Sequence, residues 1–507
     1  MTASPAPSAL ASALERYEAV IGIEVHCQLK TASKMFCGCS NTYADAPPNT
    51  HCCPVCLGLP GALPAINRLA VQHVLATGVA IGAETPPATR WDRKNYFYPD
   101  LPKGYQISQY DLPLTSAGRL TIETSDGPFT VGITRAHLEE DTAKLIHAEG
   151  PDGGRVSLVD FNRSGAPLME IVTDPDIRTA EQARRYAEEL QLLLRSIGAS
   201  DADMERGQLR VEANVSLRPR GTEPFGTRVE VKNMNSFRSV ERAITHEIER
   251  QAIALDAGET LTQDTRGWDE TRGVTYVMRS KEDSHDYRYF PEPDLPPLHV
   301  EAEWLDRLRA ALPELPASRR RRYVEELGLS SYDAAVLVAD PSAAVLFEST
   351  MTASGAASTG EGLDPKQVAN WVTGEFLRLR NASGASLVVD PTELGALIGL
   401  VANGAISRAN AKEVLEVHAA TGGTAAAIVA ARGFRQISDA DAVGAAVEAA
   451  IAGNPQAVAD YRAGKVQAVG FLVGQVMKAT RGQANAGLVQ TAVRERLEQA
   501  TVSESEG

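Results

Sequence analysis

The sequence contains no uninterrupted apolar stretch of about 18 residues, the length at which a transmembrane helix becomes a candidate. Residues 1–16 are rich in Ser, Ala and Pro and lack the basic cluster that opens a signal peptide, so we expect a disordered tail there. Aromatic residues are only 6% of the 507, whereas hydrophobic residues make up 43% and charged residues 23%. This composition is typical of soluble globular proteins and excludes collagen-like and wholly disordered classes. We therefore expect a cytoplasmic protein of about three domains.

Positive charge is also scarce, because 50 Lys and Arg residues stand against 65 Asp and Glu residues, a net charge of −15. This balance excludes proteins that bind nucleic acid through an overall basic surface, and any such contact must use local patches. The negative charge suits a protein that holds divalent cations with carboxylates.

Two common phosphate-binding motifs, GxxxxGK[ST] and a GxGxxG helix start, are absent, as is a Ser-rich amidase signature. A bound nucleotide would therefore have to lie on a β-sheet and not in a P-loop. Side chains carried by strands become the candidates for binding phosphate.

Cysteine is confined to one short segment, since all six Cys residues fall within 27–56. A disulfide scaffold would spread its cysteines along a short secreted chain, so the clustering indicates a metal site in a reducing compartment. Four of them form two closely spaced pairs that suit tetrahedral zinc: Cys37, Cys39, Cys53 and Cys56. Cys52 beside the second pair leaves the choice of ligand there open. A set of buried free thiols is the alternative.

The first predicted domain, 17–298, alternates strand-like runs with Gly, Pro and Asp turns. It has one clear helix, which a capping box at Thr179 and Gln182 opens, and it ends at the Pro-rich stretch 290–297. The fold class predicted is α+β with a mostly antiparallel sheet. The strand-like runs are 17–30, 120–133, 156–161, 209–217 and 228–232.

The rest of the chain is Ala-rich, with N-cap residues and Gly stops that predict helices only. We divide it into a helical domain, 299–430, and a small helical tail domain, 431–507. N-caps are expected at Asp364, Asp390, Ser407, Ser438 and Asn454. A flexible loop is expected over 350–362, where Ala, Ser, Gly and Thr dominate.

Period-2 alternation places polar side chains of three predicted strands on single sheet faces. The pairs are Glu24 with His26, Glu212 with Asn214, and Glu230 with Lys232. Glu139 and Glu140 add two more carboxylates. Carboxylates converging with a histidine are typical of a divalent-cation site, where Mg²⁺ would be shared with nucleotide phosphates. The alternative is the solvated outer face of an antiparallel sheet.

A polar and aromatic loop spans 90–109, and its Tyr, Lys and Gln side chains suit an adenylate or the end of a tRNA through stacking and hydrogen bonds. Arg288, which lies between two tyrosines, suits a phosphate or a carboxylate. An ordinary surface loop is the alternative. The candidate binding residues in the loop are Lys94, Tyr96, Tyr98, Lys103, Tyr105 and Gln106.

Long segments of the chain resemble the GatB family, the B subunits of the heterotrimeric glutamyl-/aspartyl-tRNA amidotransferases. The resemblance covers nearly the whole chain, and its motifs are long and specific. An extra Cys52 and an Ala486 in place of a tail-motif proline are departures from the family pattern. The matching segments are 21–31, 92–109, 157–172, 209–219, 229–237, 286–298 and 470–485.

The resemblance implies that Glu-tRNA(Gln) or Asp-tRNA(Asn) is converted to the amide after ATP phosphorylates the side-chain carboxylate on this subunit. A partner amidase (glutaminase) subunit would release ammonia from glutamine, and a small third subunit would join the two. The implied fold is a cradle similar to the sheet of glutamine synthetase, then a helical domain and a tRNA-binding tail.

Glu24, His26 and either Glu139 or Glu140 match the family's metal-site positions, which implies Mg²⁺ there. Zinc is implied only as a structural brace, because some relatives lack the thiolates. The competing hypothesis is a non-catalytic scaffold that presents tRNA to a partner. Under that hypothesis the carboxylates and the histidine would share a sheet face by accident.

Overall fold

The computed structural model describes residues 9–280, 287–357, 362–383, 387–434, 440–480, 484 and 486–502. The chain divides into two compact units, Met1–Leu315 and Pro316–Gly507. Among the described helices, none alone is long and apolar enough to cross a membrane. Two sharply bent helix pairs meet that test together, by length and composition alone.

The first unit is built around one large β-sheet. Its strands are β1 (Tyr17–Gln28), β2 (Ala88–Thr89), β3 (Asp92–Asn95), β4 (Tyr105–Ser108), β5 (Thr115–Thr124), β6 (Gly127–Glu140), β7 (Lys144–Glu149), β8 (Arg155–Asp160), β9 (Pro167–Thr173), β10 (Leu209–Pro219), β11 (Val229–Met234), β12 (Asp264–Asp269), β13 (Val274–Ser280), β14 (Phe290–Pro291) and β15 (Leu298–His299).

Eight of these strands form the large sheet, in the order β13-β12-β11-β10-β1-β9-β6-β5. Only β11 and β12 run parallel; the other neighbouring pairs in this sheet are antiparallel. A second sheet, β14-β3-β4, carries the polar and aromatic loop, and two strand pairs, β15-β2 and β7-β8, complete the unit.

Helices cover one face of the large sheet, because alternate residues of its strands are apolar. Ile23 and Val25 of β1 are buried in the same core as Leu190 and Ile244, which two helices contribute. The helices of this unit are α1 (Ala9–Arg16), α2 (Arg68–Ala80), α3 (Ala180–Ser196), α4 (Phe237–Asp256) and α5 (Ala302–Ala311). The other face of the sheet is left to polar side chains.

The second unit is built from helices. They are α6 (Pro316–Glu325), α7 (Ser331–Val338), α8 (Pro341–Ala357), α9 (Pro365–Trp371), a π-helical turn (Val372–Phe376), α10 (Leu377–Ser383), α11 (Pro391–Ala402), α12 (Arg408–Thr421), α13 (Ala425–Arg432), α14 (Ala440–Gly453), α15 (Pro455–Arg462), α16 (Gln467–Ala479) and α17 (Ala486–Val502). The last four share a core of their own around Val447, Leu472 and Val489. This core supports a separate tail domain, and its boundary at 431 stays a prediction.

Several predictions from the sequence are confirmed. The α+β class holds, with a mostly antiparallel sheet followed by helices. The capping box of α3 is present, since the Thr179 hydroxyl accepts from the Gln182 amide at 3.1 Å. Asp364 and Asp390 cap helices that begin with proline.

Four predictions are wrong in detail. Residues 9–16 of the expected disordered tail form α1, where Ala13 is buried against the core. The run 120–133 is not one strand, because a turn at Ser125 and Asp126 folds it into the β5-β6 hairpin. The expected loop over 350–362 is helical up to Ala357, where α8 ends, and residues 358–361 lie outside the described residues. The prediction of a single clear helix in the first domain is also wrong, because α4 is a second long helix.

Other differences concern single caps and the domain boundary. Asn454 occupies an N-cap position, but its side-chain amide donates backward to the Ala450 carbonyl and not to the helix. Ser438 lies outside the described residues. Helix α5, placed by sequence in the second domain, belongs to the first unit, because Leu308 packs in its core and the Trp304 ring lies 5.4 Å from the Arg68 guanidinium.

Candidate active site

Polar side chains lie in rows across the face of the large sheet that the helices leave open. In one row, His137 of β6, Glu170 of β9, His26 of β1 and Arg210 of β10 are successive cross-strand partners. Side chains directly opposite on antiparallel strands have Cβ atoms about 5 Å apart. Glu170 accordingly lies within 3.6 Å of both His137 and His26. The predicted alternation of β1 is therefore confirmed and leads directly to the site.

His26 is the centre of a group of carboxylates. Its Nε2 atom lies 3.5 Å from Glu139 Oε1, 3.6 Å from Glu170 Oε2 and 3.8 Å from Glu24 Oε1. Glu212, directly opposite Glu24 in the next row, completes a second group with Glu24 and His26. Each group has its ligand atoms within 4.8 Å of one another.

This crowding shows in the acid–base properties of the group. Burial and the charge of Glu170 raise the pKa of Glu24 to about 7. Burial would lower the pKa of His26, but Glu170 and Glu139 raise it to about 9. Like charges this close resist ionising together, so the group gains from a bound cation.

The donor set fits a divalent cation. Carboxylate oxygens are the ligands that Mg²⁺ and Mn²⁺ prefer, and one imidazole suits Mn²⁺ better than Mg²⁺. Nδ1 of His26 is buried without a hydrogen-bond partner, while Nε2 faces the carboxylates. The residues best placed to hold a cation are thus His26, Glu139 and Glu170, with Glu24 and Glu212 beside them.

The third predicted pair, Glu230 with Lys232, brings an ammonium group to the site. Lys232 Nζ lies 2.8 Å from Glu212 Oε2 and 3.2 Å from Glu230 Oε1, and the Thr265 hydroxyl donates to Glu230 at 2.7 Å. Asn214 lies directly opposite Glu230. The structure thus brings all three predicted strand pairs to one sheet face.

The β3-β4 sheet supplies part of the wall of a cleft of about 670 Å³ over this face. Lys94, Tyr96 and Gln106 line it, as does Tyr287. Burial would lower the pKa of Lys94, but Glu139 and the tyrosines nearby raise it above its ordinary value, so this lysine is charged. Arg288, next to Tyr287, is exposed.

Four other predicted site residues lie elsewhere. Glu140 follows Glu139 on a strand and so points to the opposite side, away from the cleft. There its carboxylate accepts hydrogen bonds from the Lys103 ammonium and, at 2.9 Å, from the Ile107 amide. Glu140, Lys103 and Tyr105 line a smaller cavity of about 210 Å³ beside the cysteines. Tyr98 is exposed to solvent.

Sequence reasoning missed Glu170, His137 and the pair of Arg210 with Asp141. Glu170 is the one charged residue of β9, and it is buried like most of its apolar neighbours. A lone acid inside an apolar strand was the available signal. The Arg210 guanidinium lies 3.3 Å from Asp141 and, although burial opposes it, holds the pKa of that carboxyl below its ordinary value.

The four predicted cysteine ligands meet. Their sulfur atoms all lie within 4.8 Å of one another, with 3.9 Å between Cys53 and Cys56. The choice between Cys52 and Cys53 is thereby made, since the Cys52 thiol instead points to Asn162 Oδ1 at 3.9 Å. Cys27 is a separate buried thiol, and burial raises its pKa to about 12. The four-cysteine cluster can bind a metal ion.

The open face of the large sheet carries carboxylates, a histidine and a lysine, and the four cysteines form a separate cluster. The first unit thus contains two chemically distinct groups of side chains that could each hold a metal ion. The family described as GatB/GatE catalytic domain matches residues 19–306, and the family described as GatB domain matches residues 356–497. The chain belongs to the GatB family.

Curated relatives cover nearly the whole chain, and each of them is named as the B subunit of an aspartyl/glutamyl-tRNA(Asn/Gln) amidotransferase. The relative from Moorella thermoacetica is 53% identical over 484 residues, 95% of this chain and 100% of that protein. The relative from a Roseiflexus species is 52% identical over 486 residues, with 95% and 98% covered. The relative from a Picosynechococcus species is 49% identical over 494 residues, with 95% and 98% covered.

Proposed function

We propose that this chain is the component of an aspartyl/glutamyl-tRNA(Asn/Gln) amidotransferase that activates the aminoacyl side chain with ATP and amidates it. The observation that carries the proposal is the convergence of Glu24, Glu139 and Glu170 on His26 at 3.5 to 3.8 Å, on an open sheet face. A carboxylate is a poor electrophile, and phosphorylation gives it a leaving group. The names of the relatives supply the substrate class.

In the proposed reaction a side-chain carboxylate oxygen of Glu-tRNA(Gln) or Asp-tRNA(Asn) attacks the γ-phosphorus of ATP, and the bond to ADP breaks. Ammonia then attacks the acyl carbon, the carbon–oxygen bond to phosphate breaks, and the proton that ammonia loses leaves with phosphate. The products are the amide, ADP and inorganic phosphate.

The residues that would hold Mg²⁺ are His26, Glu139 and Glu170, with Glu24 and Glu212 on the other side of His26. When bound, such a cation neutralises charge on the phosphoryl group that is transferred. The register of β6, β9, β1 and β10 places these side chains together, so the site is organised before substrate binds.

Lys232 is proposed to contact the phosphoryl or acyl-phosphate oxygens. Its ammonium is fixed by Glu212 and Glu230, and these two acids raise its pKa above the ordinary value although burial opposes them. A preorganised cation stabilises charge that develops in a transition state. Asn214, beside Glu230, is proposed to orient the same groups.

The nucleotide or the tRNA end is proposed to lie against Lys94, Tyr96 and Gln106, which line the cleft. The exposed Arg288, next in the chain to the lining residue Tyr287, is proposed to reach the same ligand. We leave Lys103 and Tyr105 out of this proposed set, because Lys103 pairs with Glu140 and all three residues line the smaller cavity beside the cysteines.

Ammonia is proposed to come from glutamine through a partner amidase (glutaminase) subunit, with a small third subunit in the same cytoplasmic heterotrimer. The helical tail domain, 431–507, is proposed to bind tRNA through local cations, because a net charge of −15 repels RNA. The four cysteines are proposed to hold a structural Zn²⁺. Their 3.9 Å sulfur separation fits two ligands about 2.3 Å from one tetrahedral ion.

The test is ATP hydrolysis that depends on Glu-tRNA(Gln), measured with the whole complex. Glu24→Gln and Glu139→Gln should each lower kcat by at least about 100-fold, since charge-stabilising groups are worth that much. Glutamine hydrolysis by the partner should persist at least in part. Glu123→Gln, an exposed acid on β5 of the same sheet, is the matched control.

A non-catalytic scaffold predicts a different result. If the cleft carboxylates were incidental, both variants would transamidate as fast as Glu123→Gln does. That outcome would end the proposal that this chain carries the phosphoryl transfer.

A further inference from the structure

A buried histidine lies directly behind the proposed metal site. His137 of β6 is 2% exposed and sits opposite Glu170 of β9, which is itself opposite His26 of β1. Its side chain is not part of any of the three groups of potential metal ligands found among the described residues. It is therefore one residue removed from the site, in the same cross-strand row.

The carboxylate of Glu170 lies between the two histidines of this row. Its Oε2 atom lies 3.4 Å from His137 Nε2 and 3.6 Å from His26 Nε2. Its Oε1 atom lies 3.8 Å from the Arg135 guanidinium. Burial would raise the pKa of Glu170, but His137 and His26 hold it well below its ordinary value.

The two histidines cannot play the same part once a cation is bound. A metal ligand must offer a lone pair, so Nε2 of His26 then carries no proton and cannot donate to Glu170. Nε2 of His137 lies 3.4 Å from Glu170 Oε2 and His137 belongs to none of the potential ligand groups, so in the tautomer that carries hydrogen on Nε2 it can donate to Glu170. Hydrogen bonds from residues that do not themselves bind the metal orient its ligand side chains and tune the metal affinity.

We propose that His137 is a positioning residue, whose Nε2–H fixes the Glu170 carboxylate toward the cation beside His26. The role rests on the proposed metal site and adds a residue that neither the motifs nor the family comparison assigns. Arg135 steadies the second oxygen from farther away. His137 itself touches neither substrate nor metal.

The test is Mn²⁺ binding by the full-length protein, followed by loss of the free Mn²⁺ signal in electron paramagnetic resonance. The protein is first saturated with zinc and freed of excess metal. His137→Met removes the donor but fills the space, whereas His137→Gln places an amide N–H near the original Nε2. Folded protein is quantified by near-ultraviolet circular dichroism, and Glu170→Gln serves as the reference for loss of the ligand.

His137→Met should weaken Mn²⁺ binding by about 10- to 100-fold, the usual effect of losing such a contact, and His137→Gln should restore most of it. Unchanged Mn²⁺ affinity in His137→Met, with a loss in Glu170→Gln, would overturn the role of His137 alone. Equal losses in the Met and Gln variants would also overturn it, because a donor would then be irrelevant. Absence of Mn²⁺ binding by the unmodified protein would overturn the metal site and this role together.

Discussion

Glu24 should destabilise the metal-free protein, and this cost can be removed by one substitution. Its pKa is raised from an ordinary value of 4.5 to about 7, chiefly by burial and then by Glu170. A carboxyl whose pKa is higher in the folded than in the unfolded state costs stability above pH 4.5, and the cost grows until the pH passes about 7. Glu24→Gln removes the charge and keeps the shape.

The magnitude follows from the size of the pKa change. Each pKa unit corresponds to about 1.4 kcal/mol, so the full cost at pH 8 is about 3 kcal/mol. Relaxation and water reduce such values, and we expect Glu24→Gln to stabilise the metal-free protein by about 1 to 3 kcal/mol at pH 8. At pH 5, where Glu24 is mostly protonated in the fold, the gain should fall below about 1 kcal/mol.

Urea denaturation without added Mg²⁺, followed by tryptophan fluorescence, measures the effect at the two pH values. Added Mg²⁺ should stabilise the unmodified protein more than the variant, because the variant lacks one ligand charge. The exposed Glu123→Gln should change stability little at either pH. A Glu24→Gln variant that is less stable at pH 8, or that gains equally at pH 5 and pH 8, would refute the reasoning.

Three further predictions concern the metal cluster and the tail. Cys53→Ser should abolish the single bound zinc and lower stability, whereas Cys52→Ser should retain zinc, because of these two thiols only that of Cys53 faces the other three cysteines of the cluster. Metal analysis that finds zinc in both variants or in neither would contradict this. Deletion of residues 435–507 should leave the first unit folded and raise the KM for charged tRNA with a smaller loss in kcat, and an unchanged KM in steady-state assays would end the tail-binding proposal. Leu472→Ala should destabilise the tail by about 2 to 5 kcal/mol, measured as faster hydrogen exchange in the tail, and should leave tRNA-independent ATP binding unchanged. Exchange that becomes faster throughout the chain would contradict a separate core.

The sequence predicts the large features of the site because β-strand geometry is strict. Alternation puts Glu24 and His26 on one face of β1, and the same rule separates Glu139 from Glu140 onto opposite faces. The register of β6 against β9 then decides which of the two faces His26, and register depends on partners distant in sequence. The alternation rule alone therefore predicts that only one of the two acids faces the site, but it does not tell which one.

Neighbours that are set by tertiary contacts could not be assigned from the sequence. Glu170 and His137 become neighbours of His26 only when three strands align, and a single acid in the apolar strand β9 carries no period that marks it. Lys103 was assigned to a nucleotide by composition, yet its loop packs it onto Glu140. Helix α8 extends to Ala357, past Ser354 and Gly355, because the burial of Phe347 and other apolar residues earlier in the helix outweighs weak local propensity.

The fate of one oxygen atom tests the central proposal most directly. Glu-tRNA(Gln) labelled with ¹⁸O in the side-chain carboxylate is incubated with the complex, ATP and glutamine, and the released phosphate is analysed by mass spectrometry. If the carboxylate attacks the γ-phosphorus at the site around His26, each amide formed should release one phosphate that carries ¹⁸O, and Glu139→Gln should abolish the transfer. Amide formation with unlabelled phosphate would contradict phosphorylation of the carboxylate, because ATP would then have been hydrolysed by water.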